Sequence, residues 1–380
     1  MTSARAAGAG ILVVNAGSSS LKLRVLDPGD EVIAALDMDH WDGSPDARQV
    51  REFLRELSGL GAVGHRVVHG AGTFTSATVL DDAVIEAIAG LTDLAPLHQP
   101  RALAGIRAAR AALPGVPEVA CFDTAFHAGL PAAAARYALP GDWTERFGLR
   151  RYGFHGLSHG YAARRSAQLL GIDSARARVV TCHLGAGSSL AAVHGGRCVD
   201  TTMGFTPLEG LVMATRPGSV DPGLLIWLLQ HGGLSVDELS GGLEHSAGLA
   251  GLAGLPGGSG DMREVRRAAE AGSPGARLAI DVHAHRLRRE IAAMAAAMDG
   301  LDVLAFTGGI GEHQPAVRAE AAAGLAFLGV AIDPARNADA AGDADISAAA
   351  AGVRTVVISA REDVEIARQT RAALGIAAGA

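Results

Sequence analysis

Aromatic residues are scarce in this chain. Phe, Trp and Tyr make up 4% of its 380 residues, against 50 glycines. Stacked aromatic interfaces are therefore excluded as the main source of cohesion, and tight turns with close backbone packing are favoured. Cysteine is nearly absent too. Cys121, Cys182 and Cys198 are odd in number and lack the spacing of a metal knuckle, which argues against a disulfide framework and fits the reducing cytoplasm. Positive charge is not in excess: 33 Lys and Arg face 40 Asp and Glu, a formal net charge of −7, so nucleic acid is not an expected partner. No apolar stretch reaches the ~20 residues of a membrane helix without interrupting Gly or Pro, so no membrane partner is expected either. The apolar run at 6–18 is too short for a signal peptide and continues into a strand-like segment. The Gly-rich run 247–260 reads as a loop. Neither the G-x-x-x-x-G-K-[ST] loop nor a G-x-G-x-x-G turn opening a helix is found.

Apolar residues are abundant, at 49%. They suffice for two cores, and the length suits two domains or one duplicated unit at roughly 100–200 residues per domain. Segment 11–14 is a short apolar run, 21–26 alternates apolar and polar residues, and 31–36 completes a strand meander. The pattern recurs at 178–183, 189–193 and 197–200. Each meander carries the same tetrapeptide at its first turn, Ala16-Gly17-Ser18-Ser19 and Ala186-Gly187-Ser188-Ser189, 170 positions apart. The shared context indicates duplication. Helices are expected at 81–91, 101–113, 222–231, 261–271, 275–298 and 362–374, with further strands at 116–122, 303–306 and 353–358. These elements imply an α/β architecture of two similar halves, with ligand in the cleft between them.

Successive Gly and Ser in a tight turn aim backbone N–H groups and hydroxyls into one concavity, a nest suited to phosphate. An ordinary hairpin is the alternative for either turn alone. Asn15 and Lys22 flank the first turn. Arg66 and Arg216 lie in short Gly- and Pro-containing contexts beside apolar residues, where a guanidinium fork can meet a carboxylate or a transferring phosphoryl group. Asp123 follows an expected strand; it is either a functional strand-end carboxylate or the cap of the next helix. His155 and His159 are spaced i, i+4, but the glycine between them weakens a metal-helix reading, and one His bonding a phosphoryl oxygen fits better. Cys121 and Cys182 read as buried small hydrophobes.

Over about residues 11–370 the chain resembles the acetate kinase family. The resemblance rests on VVNAGSSSLK (13–22), GHRVVHG (64–70), LAPLHQP (94–100), FDTAFH (122–127), YGFHGLSH (152–159), TCHLGAGSS (181–189), MGFTPLEGL (203–211), TRPGS (215–219) and FTGGIGE (306–312). It implies the fold class shared by acetate and sugar kinases, Hsc70 and actin, with duplicated RNase H-like domains. Residues 1–125 plus 362–380 would form the first domain and 126–361 the second, nucleotide-binding one. It implies ATP and ADP as nucleotides, Mg²⁺ (or Mn²⁺) as cofactor, acetate as acceptor, acetyl phosphate as product on the route to acetyl-CoA, and a cytoplasmic homodimer.

Carried over position by position, the resemblance makes Asn15 and Glu362 metal-associated. Lys22, His183, Leu184, Gly185, Ala186, Gly187, Asp261, Met262, Arg263, Gly309, Ile310, Gly311, Glu312 and His313 would contact the nucleotide. Arg66 would meet the carboxylate or phosphate, Asp123 would be the catalytic carboxylate, and His155 and Arg216 would stabilise the transition state. Val68, Leu97, Phe154 and Pro207 would line a pocket for the substrate's methyl group. Acetate is already an anionic nucleophile, so the barrier is anion repulsion and alignment, and a general base contributes little. Asp123 is then expected to orient an arginine or a metal-bound water. Four positions depart from the family pattern: Ala186 and His313 stand where Asn is usual, Met262 replaces an aromatic, and Gln99 replaces Asn. A propionate kinase shares these motifs and is the nearest alternative. A non-catalytic ATP-driven switch would need a client-binding domain. A degenerate binding protein is opposed by the retention of Asn15, Arg66, Asp123, Arg216 and Glu362.

Overall fold

The computed structural model describes residues 10–17, 20–39, 41, 48–57, 59–96 and 98–376. Ser18 and Ser19 of the first turn and the pocket candidate Leu97 lie outside the described residues. The chain divides into two compact units. One takes in the chain up to Ala128, Phe154–Tyr161 and the chain from Arg361; the other comprises Gly129–Gly153 and Ala162–Ala360.

In the first unit, β1 (Gly10–Ala16), β2 (Ser20–Leu26) and β3 (Val32–Asp39) form an antiparallel meander. Then β4 (Leu60–Val67), β5 (Thr78–Val79) and β6 (Glu118–Phe122) complete a sheet of order β3-β2-β1-β4-β6-β5. Strands β1, β4 and β6 run parallel. The continuous apolar run of β1 is what a strand covered on both faces requires. Leu12 and Val14 pack with Leu54 and Ala109, while Ile11 and Val13 pack with Ile366 and Ala367 of the Glu362–Leu374 helix. In β2, Leu21, Leu23 and Val25 are buried and Lys22 is exposed, as its alternation dictates.

The second unit repeats this order strand for strand. Its strands are β7 (Arg178–Leu184), β8 (Ser188–His194), β9 (Arg197–Thr201), β10 (Val303–Thr307), β11 (Ala344–Asp345) and β12 (Arg354–Val357). The sheet order is β11-β12-β10-β7-β8-β9, with β7, β10 and β12 parallel. The duplication expected from the paired tetrapeptides is thus present as topology. The Pro274–Ala296 helix covers this sheet, packing Leu287 and Ile291 with Val180, Leu190 and Phe306.

One expectation is corrected. Run 247–260 is not simply a loop: Gly248–Ala253 is helical, with Leu249 and Ala253 buried. Gly248, at φ +62°, and Gly254, at φ +58°, mark the helix ends; glycine there supplies the left-handed residues that begin and terminate the turn.

Candidate active site

In the first unit, Asn15 lies near the end of β1, Arg66 near the end of β4, Asp123 just past β6, and Glu362 at the start of the last helix. Parallel strands bring such ends to one edge of the sheet, where α/β proteins bind ligands. Arg66 Nη2 donates to Asp123 Oδ2 at 2.6 Å, and its Nε lies 3.2 Å from both Asp123 oxygens. Arg66 Nη1 donates to Asn15 Oδ1 at 3.2 Å, and Asn15 Nδ2 donates to Glu362 Oε2 at 3.1 Å. Glu362 Oε2 is also 3.9 Å from Arg66 Nε. The Asp123 side chain is 1% exposed and directed at Arg66; it caps no helix. Burial works against the Arg66 charge, but Asp123 and Glu362 outweigh it and hold the guanidinium above its ordinary pKa. Burial also lifts the Asp123 carboxyl above the usual carboxylate range, with Arg66 opposing and Glu362 adding to the lift.

The donors of this cluster suit a hard cation, because Glu362, Asp123 and Asn15 all offer oxygen. No group of three or more His, Cys, Asp or Glu gathers as a metal cage among the described residues. Mg²⁺ takes one or two carboxylates and leaves its other positions to water and phosphate; Glu362 and Asp123 are the carboxylates of this cluster.

His155 has φ +55°, which is strained for a residue with a side chain. It immediately precedes the Gly156–Leu170 helix. The next N–H, of Gly156, donates to the Asp123 carbonyl at 3.0 Å, and a Cβ on Gly156 would overlap that carbonyl. The backbone beside His155 is thereby tied to the backbone of Asp123. Val68 and Phe154 are buried, and the Phe154 carbonyl bonds His127 Nε2 at 3.0 Å. Burial pushes the His69 and His127 imidazoles down to about 4, so both are neutral near pH 7. Gln99, one of the four departures, has a structural account: its amide donates to the His69 carbonyl at 3.0 Å and accepts from the His69 N–H at 3.4 Å, bracing the segment that carries Val68. Lys22 stands exposed, paired in register with Asn15.

In the second unit, eight of the expected nucleotide contacts line one cavity of about 440 Å³. Gly185 and Ala186 come from the β7–β8 turn. Asp261, Met262 and Arg263 come from the start of the Met262–Glu270 helix, and Gly309, Ile310 and His313 from the Gly308–His313 helix. Ala214, Gly260 and Gln314, which the sequence did not single out, complete the lining. Of these, Gly260 is required sterically: a Cβ there would overlap the Ala214 carbonyl, so only glycine fits beside Asp261. The volume is in the range of small-molecule sites. At residue 186 the turn offers no amide side chain, and the Ala186 carbonyl already accepts from Ala214 N–H at 3.1 Å. Asp261 is drawn down to about 2, chiefly by its hydrogen bond from Arg263, and so stays ionised as an acceptor for hydroxyl donors. The other expected contacts are not in the lining. Leu184 is fully buried beneath the turn, Gly311 is buried, and Glu312 accepts from the Ala360 N–H at 3.0 Å; His183 and Gly187 flank the lining residues in the turn.

Arg216 is half-buried in this unit. Its Nη1 donates to the Pro207 carbonyl at 3.1 Å and lies 3.9 Å from Met213 Sδ. Among the described residues, no carboxylate comes within ion-pair distance of it. Burial lowers its pKa, with Glu244 opposing. Such a guanidinium retains donors for an incoming anion. The buried thiols are poor nucleophiles: burial pushes Cys121 up to about 12 and raises Cys182 and Cys198 further.

These features suit phosphoryl transfer to an anionic acceptor. The acetokinase family model matches residues 45–368. The chain is 50% identical over 315 residues to an acetate kinase of Synechococcus sp. (strain JA-2-3B'a(2-13)), covering 83% of this chain and 77% of the relative. It is 41% identical over 400 residues to an acetate kinase of Nostoc sp. (strain PCC 7120 / SAG 25.82 / UTEX 2576), covering 94% and 98%. The crystal structure of Porphyromonas gingivalis acetate kinase matches at 34% identity and TM-score 0.87, over 96% of this chain and all of that one. A propionate kinase from Francisella tularensis subsp. tularensis SCHU S4 matches at the same identity and TM-score, over 96% and 99%. The chain belongs to the acetokinase family of carboxyl-group phosphotransferases.

Proposed function

We propose that this protein transfers the γ-phosphoryl group of ATP to acetate, reversibly and in line, giving acetyl phosphate and ADP. The observation that carries this reading is the contrast in charge handling: Arg66 is fixed by Asp123 at 2.6 Å, while Arg216 has no carboxylate partner among the described residues. Both substrates are anions, so the protein's task is to hold them together and absorb charge as it moves. Asp123 locks the Arg66 fork, which receives the acceptor carboxylate. Arg216 and His155 bond the equatorial oxygens of the transferring group. The cavity lined by Gly185, Ala186 and Asp261 holds the nucleotide, and Lys22 is the cation assigned to its phosphates. Val68 and Phe154 bound the acceptor's methyl group. Mg²⁺, with Mn²⁺ as a substitute, would be held by Glu362 with Asn15 and would neutralise phosphate charge.

Propionate is the second acceptor to consider, because the propionate kinase structure is as similar as the acetate kinase one and one methylene is worth only about 1–3 kcal/mol in an apolar pocket. Trapping acyl phosphate with hydroxylamine tests both. We expect hydroxamate from acetate at the highest kcat/KM, then propionate, then butyrate. No hydroxamate from any acid would defeat the reading, and a preference for propionate would replace acetate as the substrate.

A cytoplasmic homodimer is part of the proposal. The apolar Pro222–Gln230 helix buries none of its residues, and Leu224, Ile226 and Trp227 are exposed on it; a patch of this kind marks an interaction surface. Trp227→Glu should shift sedimentation from dimer to monomer, and a monomeric parent protein would contradict this part.

A further inference from the structure

Tyr137 is remote in sequence from Arg216, yet its hydroxyl closes the loop on which Arg216 rests. That oxygen accepts from the Phe205 N–H at 2.8 Å and donates to Glu209 Oε2 at 2.7 Å. One atom therefore ties together the two ends of segment 205–209. Pro207 lies at the middle of the segment, and its carbonyl is the oxygen that holds Arg216 Nη1 at 3.1 Å. Arg151 braces the clamp. Its Nη2 donates to Glu209 Oε1 at 2.8 Å, its Nη1 reaches the Thr202 and Met203 carbonyls at 3.2 and 3.0 Å, and its guanidinium lies 5.5 Å from the Tyr137 ring. Gly204 makes the arrangement sterically possible, since a Cβ there would overlap both the Glu209 carboxylate and the Tyr137 hydroxyl. Burial and Glu209 raise the Tyr137 pKa, so the hydroxyl keeps its proton. A cavity of about 330 Å³, lined by Tyr137, Leu149, Phe205 and Glu209, lies against the segment and gives it room to relax if the clamp is lost.

We propose that Tyr137 is a positioning residue for Arg216: through Phe205 and Glu209 its hydroxyl holds the Pro207 carbonyl where that carbonyl fixes the guanidinium. Arg216 has no ion pair among the described residues to hold it, so a carbonyl on a closed loop is its main orienting contact. A long side chain aimed at developing charge contributes most when it is oriented in advance. Tyr137 touches no reacting atom. The proposal rests on the reading that Arg216 meets the transferring phosphoryl group.

Tyr137→Phe keeps the ring and removes both hydrogen bonds. Amide hydrogen exchange over residues 205–211 should accelerate by about tenfold or more. With full-length enzyme, kcat should fall about tenfold while the KM for ATP stays within about twofold. In an Arg216→Ala background, Tyr137→Phe should change kcat by less than about twofold, because the residue it positions is gone. Glu209→Gln, which keeps the side-chain size, should reproduce the pattern at smaller amplitude and guards against a folding defect in Tyr137→Phe. Unchanged exchange, or losses that multiply in the double variant, would overturn the proposal. A parent enzyme that makes no acyl phosphate would overturn the functional reading instead, and the exchange result would still decide whether the hydroxyl closes the loop.

Discussion

Arg66 and Arg216 are both drawn away from water, one in each unit, and burial lowers the proton affinity of each. In Arg66, Asp123 at 2.6 Å and Glu362 at 3.9 Å more than reverse that effect. In Arg216, a carbonyl and a thioether do not. A paired guanidinium is compensated before any ligand arrives and serves as a fixed template. An unpaired one gains most when an anion reaches it, and most of all when negative charge grows on that anion. The two units share one sheet topology, but Arg66 sits on β4 whereas Arg216 lies on the segment between β9 and the Pro222–Gln230 helix, so the difference comes from where each side chain is placed and what surrounds it.

Removing the pairing is the severest way to break this contrast. Asp123→Ala should lower kcat/KM for acetate by about 10³-fold or more and lower Tm, because breaking a buried pair costs about 3–5 kcal/mol. A loss under about tenfold would show that Arg66 does not depend on its partner. Arg216→Ala should reduce kcat by about 10²–10³-fold with KM for both substrates within about threefold. If KM moved and kcat did not, Arg216 would be a ground-state contact and the two arginines would exchange roles.

Acid should separate the units. His69 and His127 belong to the first unit and His283 to the second, and burial depresses all three to about 4. The unfolded chain takes up protons on these groups near pH 6.5 and the folded one only near 4, so stability is full above 6.5 and is lost as pH falls through that window. Each depression corresponds to about 3 kcal/mol at most. Melting curves at pH 7 and 4.5 should show a large drop in Tm, and exchange should place the earlier loss in the first unit. Equal loss in both would contradict the account. The smallest effect is expected at the nucleotide turn: Ala186→Asn should lower the KM for ATP by about fivefold, one added hydrogen bond. No change would mean that the backbone of the turn suffices.

Much of the framework was legible because its signals are local. The meanders β1–β3 and β7–β9 follow from runs and alternations of apolar residues. Strand β4, which carries Arg66, has no clear strand signal in the sequence. Gly64 interrupts its pattern, and that glycine is there because Thr370 and Ile366 of the last helix pack against it. The Gly248–Ala253 helix was hidden for a related reason, since its glycines define its ends and the composition suggested a loop. In the site, Asn15, Arg66, Asp123 and Glu362 do come together. The Tyr137–Glu209–Arg151 clamp had no local signature, because its three residues meet only through the fold.

In the proposed reaction the arginines handle charge in a single displacement, with no phosphorylated protein group between donor and acceptor. ATP made chiral at the γ-phosphorus and turned over with acetate decides this. Acetyl phosphate with inverted configuration is expected. Retention would require two successive displacements through a phosphoenzyme and would contradict the single displacement.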